Sequence, residues 1–418
     1  MHNIYLLPQG VGLSRHTYPD LEIIGSDYLK KVSDPLFILE NKPVETQQVC
    51  RLVHHDTHLL FEKESVHLLR HAKPKNEEIE SMPDWIRKDI SDRKVFQVNT
   101  SHPRWKQRLG LNSFPGKRIH LAGLGDVGST LLTGLRLLGT NLIDHIGIFD
   151  LSPEKMQRWI HETNQISSVD YESYPKVIPI NEDSLFDCDI FVFCIARQVP
   201  GLEAKNIDVR MAQFDANSTI IKSYARRARK SGFQGLFAVV SDPVDQLCQV
   251  VYRESNLDDN GNFDSNGLFP EQVKGYGLGV MNARAHFYAS MNPEAHHFTK
   301  EGRVYGPHGT GLVVANSLKH YLESVSDWLT KKTLTANLAV REIGFKPYVA
   351  PALSSACLSL LATMKGEWHY STVPLGGVYF GCLNRMQGLT SEWEINEFPD
   401  ILFQHLEHTY SQLELFQC

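Results

Sequence analysis

The sequence predicts an α/β protein built on a doubly wound parallel sheet, preceded by a small α+β segment. Beyond residue 117, short apolar strands alternate with helical stretches, a pattern typical of a parallel sheet with helices on both faces. A glycine motif, Gly123–Gly128, stands between one such strand and one such helix. The 418 residues allow two or three domains, which we place at 1–112, 113–274 and 275–418.

Individual elements follow from apolar patterning. In the N-terminal segment, short β-like runs are interrupted by polar stretches that contain proline, and we predict strands at Asn3–Leu7 and Leu36–Leu39. Residues 112–116, with Pro115 and Gly116, are typical of a linker. Strands are then predicted at Arg118–Gly123, Ile146–Asp150, Asp189–Ile195, Thr219–Ile221 and Leu236–Val240. Helices are predicted at Ser129–Leu138, Gly311–Leu329 and Pro399–Phe416.

Composition excludes several classes of function. The formal net charge is −6, from 42 basic and 48 acidic residues, which argues against a nucleic acid as partner. The basic run Arg226–Lys230 is short, so we interpret it as a solvated helix face. No apolar run approaches the length of a membrane span, and Met1–Gly10 lacks the features of a signal peptide. The seven cysteines form no CxxC pair, so reduced, mostly buried thiols and a cytoplasmic location are expected.

Two polar clusters resemble metal sites only superficially. His54, His55 and His58 lie in a strand-like stretch without a further ligand set, and surface or strand histidines are favoured over zinc. Residues 258–267 alternate oxygen-bearing side chains as a calcium loop does, but they lack its final bidentate carboxylate, which favours a surface turn. We therefore expect no metal cofactor.

The glycine motif predicts a dinucleotide site. In Gly123-Leu124-Gly125-Asp126-Val127-Gly128 the first glycine allows a tight turn, the second lets the backbone approach a pyrophosphate, and the third packs helix on strand. The helix N-terminus then offers free N–H groups to phosphate. Asp150 ends the next strand, where its carboxylate can accept from ribose hydroxyls and repel a 2′-phosphate, so NAD is favoured over NADP. The alternative is a helix N-cap that follows a glycine turn.

Four further motifs follow along the chain, at Ala196–Gly201, Val240–Asp245, Asn282–Arg284 and Gly306–Gly309. Their order resembles that of motifs in the L-lactate/malate dehydrogenases. Ala196–Gly201 resembles the start of that family's mobile loop, and Val240–Asp245 resembles its strand-end SNPVD motif. Asn282–Arg284 resembles the stretch with the substrate-binding arginine, and Gly306–Gly309 resembles the GEHG motif with the catalytic histidine. The resemblance covers residues 116–418 and implies a Rossmann-type NAD-binding domain followed by an α+β catalytic domain.

The resemblance implies roles for individual residues. His308 corresponds to the proton donor, and Arg284 to the two-pronged clamp for a substrate carboxylate. Ala196 and Ser241 fall on the cofactor side. In the loop, Gln198 takes the substrate-selecting position, where a neutral amide favours a monocarboxylate.

Three positions depart from the family pattern. The aspartate that pairs with the histidine is replaced by Met281, and the asparagine of SNPVD is replaced by Asp242. The loop arginine that polarises the carbonyl falls on Ala204, with Lys205 next to it and Arg197 earlier in the loop.

Two interpretations of these departures stay open. In the first, Asp242 partners His308 and Lys205 replaces the arginine, in an enzyme that transfers hydride between NAD and a 2-hydroxy or 2-oxo acid. In the second, the protein binds dinucleotide with little or no catalysis and acts as a binding or regulatory protein. A NAD-dependent glycosidase of related fold is less favoured, because no cysteine–histidine metal pair is found at the matching strand ends. The resemblance also implies a homo-oligomer, a dimer or a tetramer, and no motif in residues 1–112 points to a function.

Overall fold

The computed structural model describes residues 3–26, 35–71, 82–111, 117–169, 174–197 and 209–416. Its strands are β1 Asn3–Leu7, β2 Gly10–Ser14, β3 Leu36–Glu40, β4 Cys50–Leu52, β5 Val95–Asn99, β6 Arg118–Ala122, β7 His145–Phe149, β8 Lys176–Pro179, β9 Ile190–Phe193, β10 Leu236–Val239, β11 Val273–Gly275, β12 Arg303–Tyr305, β13 Val313–Ala315, β14 His369–Leu375, β15 Val378–Gln387 and β16 Thr390–Trp393.

The α-helices of the same ranges are α1 Asp84–Ser91, α2 Trp105–Leu109, α3 Asp126–Leu138, α4 Pro153–Asn164, α5 Val209–Lys230, α6 Val244–Ser255, α7 Leu278–Ser290, α8 Phe298–Glu301, α9 Glu323–Glu342, α10 Leu358–Lys365 and α11 Asp400–Leu415. Short 3-10 helices lie at Asp56–Leu60, Val66–Leu69 and Pro270–Gln272, and a π-helical stretch at Pro351–Cys357 leads into α10.

A six-stranded sheet organises residues 117–275. Its order is β11-β10-β9-β6-β7-β8, and the described pairings are all parallel. Counted from β6, this order is 3-2-1-4-5-6, so the chain reverses direction across the sheet between β6 and β9. Ligands of such sheets bind beyond the carboxyl ends of the strands at this switch point. The predicted doubly wound α/β fold is confirmed.

Both faces of this sheet are buried, because neighbouring residues of one strand enter two different cores. In β9, Phe191 and Phe193 pack in the core formed with α5 and α6, whereas Ile190 and Val192 pack in the core formed with α3 and α10. This burial explains why the strands are apolar throughout instead of alternating with polar residues.

Three smaller sheets complete the described fold. The N-terminal sheet has the mixed order β1-β2-β3-β5-β4, and the C-terminal part has the antiparallel sheets β12-β13 and β14-β15-β16. The N-terminal segment packs on the last of these: the indole N–H of Trp393 donates to the Leu68 carbonyl at 3.0 Å, and the Trp393 backbone N–H donates to His54 Nε2 at 3.1 Å.

Several local predictions were wrong. Thr219–Ile221 lies inside helix α5, and Gly311–Leu329 contains strand β13 before α9 begins at Glu323. In the histidine cluster, His55 caps a 3-10 helix and His58 lies within it, so the cluster does not form a strand, and His54 and His58 are buried. Other predictions are confirmed. They include the strands β6 and β10, predicted at Arg118–Gly123 and Leu236–Val240, and the C-terminal helix α11, predicted at Pro399–Phe416.

The cysteines in the described ranges are all free and buried, while Cys418 lies outside those ranges. The linker at 112–116 also lies outside them. None of the described helices combines the length and apolarity that crossing a membrane requires. In the same ranges, no cluster of three or more histidine, cysteine or acidic side chains is suited to hold a metal ion.

Candidate active site

The glycine motif forms the connection from β6 to α3. Gly123 has φ +97°, which only glycine adopts without strain, and a Cβ there would lie 2.9 Å from the Cys194 carbonyl at the end of β9. A Cβ at Gly128 would overlap the Gly123 carbonyl oxygen, so the helix can approach the strand only with glycine at that position. Gly125, the N-cap of α3, has open space beside it. This loop suits a pyrophosphate at the helix N-terminus.

Asp150 follows β7 and braces the glycine loop. One carboxylate oxygen accepts from the Leu124 backbone N–H at 2.8 Å, and the other accepts from the Ser152 N–H at 3.1 Å. The Lys155 ammonium lies 3.3 Å from both oxygens. The strand end therefore carries a carboxylate where a ribose is expected, together with a cation that the sequence argument overlooked.

His308 and Asp242 form a hydrogen-bonded pair across two elements. Asp242 follows β10, His308 lies between β12 and β13, and His308 Nδ1 is 2.7 Å from Asp242 Oδ1. Burial lowers the pKa of His308, but the charge and hydrogen bond of Asp242 outweigh it and raise that pKa above its usual value. The predicted approach of these two side chains is found. With Nδ1 turned to the carboxylate, Nε2 is the ring nitrogen left to act on a substrate.

Asp245 and Gly277 hold this histidine in place. The buried Asp245 carboxylate, in the first turn of α6, accepts from the His308 backbone N–H at 2.9 Å. Burial raises the pKa of Asp245 to about 7. A Cβ at Gly277 would lie 2.7 Å from the Cβ of His308, so glycine there makes room for the histidine side chain. Asp245 belongs to the motif quoted above, but its supporting role was missed.

Arg284 lies on α7 on the same side of the fold. Burial lowers its pKa, while the nearby charge of Asp242 acts in the opposite direction. Its Nη1 lies 3.8 Å from the sulfur of Met281, and within the described ranges the structure shows no ion pair to its guanidinium. The arginine is thus available to a substrate carboxylate. Met281 is buried and offers the histidine no charge.

Asn217 was not predicted from the sequence. Its side chain connects the backbone at Arg197 with the backbone at Asp242, which follows β10. This buried residue of α5 accepts from the Arg197 backbone N–H at 2.9 Å and donates to the Asp242 carbonyl at 2.7 Å. Asn217 is an amide on the same helix face as the core residues Phe214 and Ile221. A polar residue at such an apolar position was the available indication of a special role.

Of the other predicted loop and strand-end residues, Ser241 donates to the Ile195 carbonyl at 2.7 Å, and Ala196 and the Arg197 side chain are exposed. Gln198, Ala204 and Lys205 lie outside the described residues.

Comparison with known proteins agrees with this geometry. Residues 117–264 match the family model for the lactate/malate dehydrogenase NAD binding domain. This part of the chain is therefore similar to the NAD-binding domain of that family.

Its relatives include the L-lactate dehydrogenase of Corynebacterium jeikeium, which is 26% identical over 221 residues, and that of Corynebacterium glutamicum strain R, which is 29% identical over 218 residues. These matches cover 51% and 52% of the chain, and 62% and 63% of the relatives, so the matched part spans less than two thirds of their length.

Solved structures share the fold. The minor L-lactate dehydrogenase of Enterococcus mundtii matches with a TM-score of 0.57 and 16% identity, covering 72% of this chain and 97% of that one. The malate dehydrogenase of Picrophilus torridus matches with a TM-score of 0.57 and 14% identity, covering 72% and 95%. The predicted Rossmann-type domain and α+β catalytic half are therefore correct as a fold, whereas the boundaries at 112 and 274 stay predictions.

Proposed function

We propose that the protein is a NAD-dependent oxidoreductase that transfers hydride between the nicotinamide and a 2-hydroxy or 2-oxo acid. The observation that carries the proposal is the His308–Asp242 pair, with Nδ1 and Oδ1 2.7 Å apart beyond the carboxyl end of β10. A histidine whose pKa is raised by a carboxylate can hold a proton near neutral pH and release it to a developing alkoxide. A protein that only binds dinucleotide does not need this pair.

In the direction of reduction, each residue has a distinct task. Arg284 binds the substrate carboxylate with two parallel hydrogen bonds and fixes the carbonyl next to His308. The protonated imidazole donates from Nε2 to the carbonyl oxygen, while Asp242 stabilises the charge of the imidazolium through Nδ1. A dinucleotide held by the glycine loop would supply the hydride for the carbonyl carbon. The Asp245 carboxylate holds the His308 backbone in position during the reaction.

The glycine loop and Asp150 would hold the cofactor. Gly125, Val127 and Gly128 place backbone N–H groups at the start of α3, and Asp150 supplies acceptors for the adenosine ribose. We propose a preference for NAD over NADP because that carboxylate repels a 2′-phosphate.

The substrate class follows from Gln198, which carries no charge, and a monocarboxylate such as pyruvate or lactate is the proposal. Lys205 or Arg197 would bring the loop cation to the carbonyl oxygen.

We also propose a homo-oligomer, a dimer or a tetramer, in the cytoplasm. Phe287 and Met291 expose 52% and 64% of their surface along one end of α7, which suits a protein surface. Light scattering on the purified protein measures the mass, and a monomer at all concentrations contradicts this part of the proposal.

A cofactor-absorbance assay tests the central claim. Purified protein, NADH and a panel of 2-oxo acids should give oxidation of NADH, with pyruvate-like acids preferred over oxaloacetate. Calorimetry with NADH and NADPH runs alongside, and NADH should bind more tightly. Binding of NADH without turnover of any acid would favour the binding protein instead of the enzyme. Failure to bind NADH would refute both.

A further inference from the structure

The phosphate-binding loop contains an acid where a phosphate is expected. Asp126 is the first residue of α3, directly after the N-cap glycine. A carboxylate near a helix N-terminus is favourable in the empty protein. With a pyrophosphate at the same N-terminus, however, the carboxylate becomes a like charge close to two phosphates. The family resemblance gives no counter-charge for it.

The structure shows a cation at this point, from a distant part of the chain. Lys346 Nζ lies 2.9 Å from Asp126 Oδ2, although the two residues are 220 positions apart. Lys346 belongs to the connection between α9 and the π-helical stretch Pro351–Cys357, so this connection contacts the first residue of α3. The hydrogen bond that the ammonium donates to Asp126 raises the pKa of Lys346, which favours the charged form.

We infer that Lys346 is a cofactor-binding residue that contacts the pyrophosphate of the dinucleotide and neutralises Asp126 when the dinucleotide is bound. The inference rests on the proposed function, since it needs a dinucleotide at the glycine loop. Lysine has a flexible four-carbon stem and three donors, so its ammonium can contact a carboxylate and a phosphate oxygen together. The Lys346 side chain is largely exposed and that of Asp126 is half exposed, so the ion pair alone contributes little to the stability of the fold.

The position of Lys346 also links the cofactor loop to the substrate side. The π-helical stretch that follows it packs on α7: Ser355 Oγ accepts from the Val280 N–H at 2.8 Å and donates to the Gly277 carbonyl at 2.6 Å. Gly277 lies against His308, and α7 carries Arg284. A contact between Lys346 and the pyrophosphate would therefore connect the cofactor site at the glycine loop with α7, which carries Arg284.

Titration of NADH, ADP-ribose and adenosine into variants tests this inference. ADP-ribose keeps both phosphates and lacks nicotinamide, whereas adenosine has no phosphate. At low salt, Lys346→Ala should weaken NADH and ADP-ribose by roughly two- to five-fold and leave adenosine unchanged. High salt should shrink the difference, because exposed charges are screened.

The partner variants fix the interpretation. Asp126→Asn should tighten NADH by a similar factor, and the double variant should return close to the wild type because the two charges are removed together. Lys331→Ala, which removes one exposed lysine from α9, is the matched control and should change nothing.

Four outcomes overturn the inference or its basis. Equal affinities for Lys346→Ala and Lys331→Ala, or weaker NADH binding by Asp126→Asn, overturn the inference and leave the proposed function intact. A loss of melting temperature in both single variants without any change in affinity assigns the ion pair to the fold alone. A wild-type protein that binds neither NADH nor ADP-ribose overturns both the inference and the proposed function.

Discussion

Asp242 determines the protonation behaviour of His308. Burial alone would keep this imidazole neutral, and the carboxylate 2.7 Å away overrides that effect. A residue with a raised pKa is stabilised in its protonated form, and that stabilisation is lost as the pH rises through the raised value. Asp242, which follows β10, thus supplies a carboxylate to the histidine from a different element. Met281 at the usual position is a buried apolar side chain.

We expect Asp242→Asn to lower the rate of 2-oxo acid reduction by on the order of 10²–10⁴-fold, because the amide cannot stabilise the imidazolium. Reduction requires protonated His308, so kcat/KM should fall with rising pH, and in the variant this alkaline limb should move to lower pH. The pH profile of kcat/KM is the measurement. An unchanged profile, or a gain in lactate-type activity, would contradict the assigned role.

His308 and Arg284 should separate chemistry from binding. We expect His308→Gln to lower turnover by roughly 10²–10⁴-fold without loss of NADH affinity. Arg284→Lys should raise KM and lower kcat, because a point charge cannot form the two parallel bonds of a guanidinium. Steady-state kinetics and NADH titration of both variants give the test. Retention of the full rate after either change would show that the residue has been assigned wrongly.

Asp150 and Lys155 together should set cofactor choice. We expect Asp150→Ser to reduce the preference for NADH over NADPH by about ten-fold, or about 1.4 kcal/mol, because Lys155 is then released to pair with a 2′-phosphate. In the control, the added change Lys155→Ala should remove that gain. Dissociation constants from calorimetry decide the question, and an NADPH affinity that the serine leaves unaltered would count against this role.

At the scale of elements, α5 connects the loop to the reactive pair. Its Asn217 side chain bonds the backbone at Arg197, which the sequence places at the start of the substrate loop, and the backbone at Asp242. We expect Asn217→Ala to destabilise the fold by about 1–3 kcal/mol and to lower kcat/KM for the oxo acid with little change in NADH affinity.

Asn164→Ala is the matched control, because Asn164 bonds both backbone groups of Val177 in β8, away from the reactive pair. It should cost similar stability without the kinetic effect. Equal kinetic losses in the two variants would mean that Asn217 only supports the fold.

Elements with a local cause were predictable from the sequence. The strands of the six-stranded sheet are apolar throughout because both faces are buried, and the glycine loop is specified by backbone geometry at Gly123 and Gly128. Thr219–Ile221 was misassigned because β-branched residues favour strands locally, while the packing of α5 on the sheet makes them helical. The pairing of Asp242 with His308 was predictable because family motifs placed both residues. Lys346 and Asn217 were not, since each depends on a contact between distant parts of the chain.

At the scale of the whole molecule, buried charges fasten the N-terminal segment to the rest. Glu271, just before β11, accepts from the Cys50 backbone N–H at 2.7 Å, and its other oxygen lies 3.7 Å from Arg108 Nε. Both side chains of this ion pair are fully buried. Arg93 bonds Glu392 in β16 at 2.8 Å, at a second point of the same junction. The N-terminal sheet is therefore an integral part of the folded chain.

Removing one member of that buried pair should destabilise the protein strongly. We expect Glu271→Ala to lower the free energy of unfolding by about 3–5 kcal/mol, because it leaves the Arg108 charge buried without compensation. The double change Arg108→Met with Glu271→Met should recover most of the loss, since apolar side chains of similar volume need no charge partner.

Glu182→Ala, which breaks the exposed pair with Arg227, is the control and should cost at most about 1 kcal/mol. Urea unfolding followed by tryptophan fluorescence measures all three. If Glu271→Ala is no more costly than Glu182→Ala, the buried pair does not hold the segment, and the apolar contacts of Trp105 and Phe269 at the same junction must do so.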